Sequence, residues 1–230
     1  MPELMLMVVV DEPGEERLAP AEVRALVEGH TAWEKELREA TILVDAERLR
    51  PSSEGVRVRG RGDAQAQPGP FGAEALSAYA IVRAEGLDQA LALARRLPVP
   101  PGAKIEVRPI MKRHTHPEKT SQPGRVFAFG VLGSAPSEEG WIEVMDRIDA
   151  RTRNGFPGER WLGGVRLEAP RTGRRLASGT IFDGPFLESK EVIGGLFFLR
   201  MQSMAEAVAW AAQTPFVDEG ALEIREVWRS

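Results

Sequence analysis

Met204-Ala-Glu-Ala-Val-Ala-Trp-Ala-Ala-Gln-Thr-Pro215 is the stretch from which the fold is read, because the chain holds it twice. Leu87-Asp-Gln-Ala-Leu-Ala-Leu-Ala-Arg-Arg-Leu-Pro98 lines up with it without a gap, at an offset of 117 residues. The register carries on: Ile105-Glu-Val-Arg108 falls on Leu222-Glu-Ile-Arg225 at the same offset, and Pro68-Gly-Pro-Phe71 falls on Asp183-Gly-Pro-Phe186 at 115. A duplication accounts for this better than chance, so both copies are expected to be built from the same elements. Between them, Met111 to Gly124 has no apolar periodicity and holds two prolines, the composition of a linker. The expected division is residues 1–110 for the first repeat, 111–124 for the linker and 125–230 for the second repeat.

Each copy reads as a run of short elements. Leu4 to Val10 is a buried strand. Pro20 suits the first turn of a helix whose inward face is Val23, Leu26, Val27, His30, Trp33 and Leu37. Thr41 to Leu49 returns as a strand, Val56 to Gln67 is a polar hairpin broken at Gly60 and Gly62, and Leu76 to Arg83 is the next strand. A second helix buries Leu87, Ala90, Leu91, Ala94 and Leu97, stops at Pro98, and leads into the strand Lys104 to Ile110. The second copy follows with the strand Arg125 to Leu132 and a helix near Pro136 to Arg153 that turns Trp141, Met145 and Ile148 inward. Ser203 and Glu206 make a capping box at the start of its second helix. The order is β-α-β-β-α-β with an added hairpin, an α+β class of two tandem ferredoxin-like (βαββαβ) repeats. Two helices on one face of such a sheet leave the other face bare, and a tandem copy supplies its cover.

Composition narrows the function classes. Of 230 residues 43% are hydrophobic and 28% charged, and a formal net charge of −4 with Lys and Arg scattered among acids gives no nucleic-acid footprint. With no cysteine there is no disulfide, no thiolate catalysis and no thiolate metal site. Leu4 to Val10 is too short for a signal or membrane segment, so a cytoplasmic protein without membrane contact is the expectation. No glycine-rich loop opens a helix to cradle phosphate, and no cofactor is implied. His114 and His116 lack a carboxylate or cysteine at ligand spacing, which reads as a solvated linker with no metal. The tryptophans sit in strand or apolar-periodic contexts and read as packing.

Asp183-Gly-Pro-Phe-Leu-Glu-Ser-Lys-Glu191 reads as a turn feeding a strand. The Asp183 side chain can bond its own following backbone, Gly184 tolerates positive φ, and Pro185 fixes the next φ. Glu188 and Lys190 share one face of an extended segment and Glu191 points the other way. This nonapeptide resembles the signature of the DGPF-type branch of the YCII-related family. The resemblance covers most of the chain and implies a dimeric α+β barrel, in which two ferredoxin-like units put their sheets face to face. This chain resembles both halves in one polypeptide, a pseudo-dimer that closes as a monomer or by exchange between two chains as a homodimer.

The copies differ where chemistry would sit. The first has Pro68 in the Asp183 position and Ala73, Ala75 and Leu76 in place of Glu188, Lys190 and Glu191, so only the second motif keeps its polar set. Asp183 is read either as a turn cap or as a catalytic or ligand-binding group. His30 is the other catalytic candidate. The resemblance implies a dyad of a first-helix histidine, matched by His30, and an aspartate before a Pro-aromatic pair, whose places here hold Leu97 and Thr214. Without that partner, packing against Leu26, Trp33 and Leu37 is the plainer reading of His30.

Two functions follow. One is a small-molecule binder or enzyme with a pocket between the sheets near Asp183, lined by Phe186, Glu188 and Lys190. The other, implied by the resemblance of DGPF-type genes to a class found near extracytoplasmic-function sigma factors, is a non-catalytic accessory protein with a protein partner. The fold does not choose between them.

Overall fold

A computed structural model of the chain describes residues 1–12, 18–72, 74–115, 123–133, 140, 142–143, 146–147, 160–183, 192–218 and 220–228. It is α+β, and it divides into two compact units. Unit 1 holds residues 1–49, 71–110 and 170–186; unit 2 holds residues 50–70, 111–169 and 187–230.

Unit 1 is built on strand β1 (Glu3–Asp11), whose unbroken apolar run buries side chains on both faces, Leu4, Leu6 and Val8 on one and Met5 and Met7 on the other. It pairs antiparallel with β5 (Glu74–Arg83) on one side and β6 (Lys104–Thr115) on the other, and β2 (Leu43–Leu49) pairs with β5. The order is therefore β2-β5-β1-β6. Helices α1 (Pro20–Glu39) and α2 (Leu87–Ala94) cover one face, sealed by Trp33, Leu37, Leu91 and Ala94. The Trp33 indole Nε1 donates to the Leu93 carbonyl at 3.3 Å, which satisfies the one polar atom its burial would otherwise strand. Pro20 opens α1, where its missing N–H costs nothing, and the Glu22 carboxylate accepts from the Ala19 N–H.

Unit 2 repeats the plan with β8 (Trp161–Leu167), β11 (Val192–Met201), β7 (Arg125–Gly133) and β12 (Gly220–Trp228) in that order, and with α3 (Met204–Ala211) on one face. The expected capping is present: Ser203 Oγ accepts from the Glu206 N–H at 3.2 Å, and the Glu206 carboxylate accepts from the Gln202 N–H. The core centres on Phe197, stacked on Phe129 at 5.0 Å and on Phe216 at 4.9 Å, with Trp210 edge-on at 5.8 Å. The helix read over Pro136–Arg153 lies largely outside the described residues; Gly140, Ile142, Glu143, Asp146 and Arg147 are helical.

Each unit's sheet is completed by a hairpin from the other repeat. Strands β3 (Val56–Arg59) and β4 (Gln65–Pro68), encoded in the first repeat, extend unit 2, where β3 pairs with β12. Strands β9 (Arg174–Ala177) and β10 (Thr180–Asp183), encoded in the second, extend unit 1, where β9 pairs with β6. The turn between β9 and β10 is Ser178-Gly179, both at positive φ, the backbone a two-residue hairpin of right-handed twist requires.

The registers are equivalent. Glu106 faces Arg175 in unit 1 and Glu223 faces Arg57 in unit 2. Glu106 holds Arg175 at 3.3 Å and the fully buried Arg108 at 3.5 Å; Glu223 holds Arg57 at 2.7 Å and the fully buried Arg225 at 3.1 Å. Gly173 and Gly55 make room for these arginines: a Cβ would lie 2.5 Å from Arg108 Cγ and 2.6 Å from Arg225 Cδ.

One boundary differs from expectation. Strand β6 runs to Thr115, so residues 111–115, read as linker, are strand. Backbone pairing needs no apolar alternation where both side-chain faces are wet, and composition could not show it. No helix among the described residues is long and apolar enough to cross a membrane.

Candidate functional site

The second half of α1 is fixed to the sheet and the first half is not. Trp33 and Leu37 are buried, whereas Val23 and Val27, on the same apolar stripe, are each 44% exposed. The expected inward face is thus only half buried. Gly29 sits where the connection after α2 crosses the helix; a Cβ there would lie 2.9 Å from Pro98 Cγ, and this close approach fixes α1 at one point while its N-terminal turns stand off. Beneath those turns the sheet presents Val8 and Ala78, small and medium side chains that do not fill the gap. The result is a cavity of about 230 Å³ walled by Val23, Leu26 and Val27 above, Pro98 and Pro100 at one side, and Val8 and Ala78 below.

Three polar residues line this apolar space: His30 from α1, Arg48 from β2 and Ser77 from β5. His30 is half-buried. Its imidazole is held below the ordinary value of 6.5, first by burial and then by the Arg48 cation, while Glu34 and a hydrogen bond to the Pro98 backbone pull the other way. The ring is therefore neutral at pH 7 and can accept a proton. A smaller neighbouring space of about 10 Å³, room for about one water, is shared by His30 and Arg48 and bounded by Trp33, Glu34 and Tyr79. Burial, Asp45 and Glu47 push the Tyr79 phenol well above its ordinary range, so it stays protonated and donates to Asp45 Oδ2 at 2.7 Å. Among the described residues, no group of three His, Cys, Asp or Glu side chains converges to hold a metal ion.

His30, read as packed against Leu26, Trp33 and Leu37, lines a cavity together with Leu26 and a smaller space together with Trp33. Asp183 lies elsewhere. It ends β10, pairs across the hairpin with Arg174, and is 83% exposed, its Oδ1 accepting from Arg174 Nε at 2.9 Å. Arg174 Nη1 also donates to Asp88 Oδ1 at 2.7 Å, at the start of α2. The pocket expected near Asp183 is not the one described here, since Asp183 lines neither cavity. Phe186, Glu188 and Lys190 lie outside the described residues, as does all of 184–191. His114 is on β6 and His116 is outside the described residues.

Arg48 was not legible beforehand. Simple alternation from Leu43 puts Asp45, Glu47 and Leu49 on the helix side and sends Arg48 outward. A register shift between Leu43 and Asp45 reverses the parity, so Leu43 and Ala46 both pack into the core under the helices and Arg48, opposite Ala78, follows Ala46.

The family model of the YCII-related domain matches residues 4–114 and 167–230. No curated protein matches the chain. Among solved structures, a candidate chlorite dismutase is similar over 99% of this chain and 94% of its own, at 10% identity and a TM-score of 0.44. A candidate monooxygenase of Fusobacterium nucleatum subsp. nucleatum is similar over 98% and 91%, at 10% identity and a TM-score of 0.43.

Proposed function

The chain belongs to the YCII-related family, and from that premise we propose that it binds a compact organic molecule under α1 and acts on it by proton transfer at His30. The observation that carries this is the half-exposed stripe of α1. A helix whose only task is to cover a sheet buries its apolar face along its full length. Here Val23 and Val27 stay in contact with solvent and instead roof a cavity lined by His30, Arg48 and Ser77. A concave apolar space with a few convergent polar groups and one perturbed titratable group is the physical description of a small-molecule site.

His30 suits the role of general base because it is uncharged at neutral pH and lines the cavity. An accessory protein acting through a partner surface is supported less well. Ile181 and Phe182 are exposed, but as adjacent strand residues they point to opposite faces and make no contiguous patch. The finer assignments, a DGPF-type member made of two ferredoxin-like halves, belong to the same proposal; they are supported by the internal repeat and by the order β2-β5-β1-β6 with both helices on one face.

The test is a fragment library screened by thermal shift, with hits followed by the NMR signals of the three histidines. A ligand at one hundred times its Kd adds about 2.7 kcal/mol to stability. Hits are expected to move the His30 signal and to lose their effect in His30→Gln, whose unliganded melting temperature stays close to wild type. Hits that leave His30 unmoved and map to the Asp183 end of β10 would overturn the assignment.

A further inference from the structure

Resting on that reading of the cavity, we infer that Arg48 selects the ligand class: the site takes a compact, largely apolar carboxylic acid, with the carboxylate on Arg48 and the apolar body under Val23 and Val27. Most arginines of unit 1 are answered by a carboxylate. Arg83 meets Glu3, Arg96 meets Glu36, Arg108 and Arg175 share Glu106, and Arg174 bridges Asp88 and Asp183. Arg48 makes no ion pair or hydrogen bond among the described residues, although Glu34 and Glu47 line the same neighbouring space. It lines an apolar cavity instead and is exposed to solvent, on that face because of the register shift in β2.

A guanidinium at the rim of an apolar space is a ready anion receptor, and its fork matches a carboxylate with two parallel donors. The apolar walls set the rest of the molecule. About 230 Å³ lies below the span of drug-sized pockets, about 300–1,000 Å³, so the body is a single ring or a short chain. A phosphate dianion fits less well, since one guanidinium leaves its second charge uncompensated among Val, Leu and Pro side chains. Ser77 lines the same cavity, and the neutral His30 is left to a proton elsewhere on the ligand.

The experiment titrates the wild-type protein with benzoate and phenylacetate, with their amides, and with phenyl phosphate, following the cavity resonances and the titration of His30. The acids are expected to bind at least tenfold more tightly than the amides and more tightly than phenyl phosphate. Bound acid should raise the His30 pKa by offsetting the Arg48 charge, whereas bound amide should not. Arg48→Gln should remove the acid-to-amide preference while leaving amide binding in place, and Arg48→Lys should keep part of it. Equal binding of acid and amide at the cavity would overturn the assignment of Arg48 and leave the cavity as a small-molecule site. Tighter binding of phenyl phosphate would overturn the carboxylate class. Failure of every probe to move the cavity resonances would overturn both this inference and the site on which it rests. The wild-type ratios decide without any variant, so a poorly folded substitution does not blunt the test.

Discussion

His30 carries its own signature in the pH dependence of stability. In the unfolded chain its imidazole titrates near 6.5, and in the folded chain burial and Arg48 hold it lower. Well above pH 6.5 both states are neutral and the residue adds no slope. As pH falls from there through the lowered folded value, the unfolded state takes up the proton first and stability is lost; below the folded value the loss is complete. The neighbours that set this balance are Arg48 on β2 and Glu34 on α1. We therefore expect the wild type to lose more stability between pH 7 and pH 5 than His30→Gln does, measured by denaturant midpoints at each pH. A variant that loses more than wild type over that interval would show that His30 is stabilised as the cation. Asp183 makes an instructive contrast at the same scale. An exposed aspartate paired with Arg174 has little leverage, about 0–1 kcal/mol, because solvent screens the pair.

At the scale of elements, the sequence was informative wherever a period or a cap decides the outcome. The all-apolar β1, the Pro20 start of α1, the Ser203 cap and the stop of α2 before Pro98 were each readable from local chemistry, and the repeat assigned the second copy its elements. The site was less legible, for two physical reasons. The 3.6-residue period of α1 says which side chains share a stripe; it does not say whether the sheet rises to meet all of them. The Ala78 floor and the Gly29–Pro98 contact settle that, and both are tertiary. The period of β2 fails in its turn because one bulge flips every side chain after it. Ala78→Leu tests whether α1 stands off over usable space. If the space is a site, the added methyl groups should fill it, leaving stability unchanged or raised by about 0.5–2 kcal/mol and abolishing ligand-induced thermal shifts. If the region is already close-packed, overpacking should cost about 1–3 kcal/mol. A destabilised Ala78→Leu protein that still binds would remove the cavity from consideration.

At the scale of the whole chain, the repeats and the compact units are not the same partition, and hairpin exchange is the reason. The polar pattern over Val56–Gln67 announces a hairpin, but period-two alternation cannot say to which sheet edge it will pair. The pairing is settled by the buried arginines. Glu106 and Arg108 of the first repeat receive Arg175 from the second, and Glu223 and Arg225 of the second receive Arg57 from the first. Removing one member of such a buried group costs about 3–5 kcal/mol, because the charge left behind stays out of water. A repeat produced alone is therefore incomplete twice over: β6 lacks β9, and the hairpin β3–β4 lacks β12. The equivalent registers allow one remedy, since β3 can lie on the β6 of a second copy as β9 does here. We expect a fragment of residues 1–115 to be unfolded or aggregated as a monomer, and to fold cooperatively only as a homodimer or when mixed with a fragment of residues 116–230. Sedimentation and hydrogen exchange at the β6 amides distinguish these states. Protected β6 amides in a monomeric 1–115 fragment would mean that the exchanged hairpin is dispensable, and that the repeat, not the composite unit, is what folds.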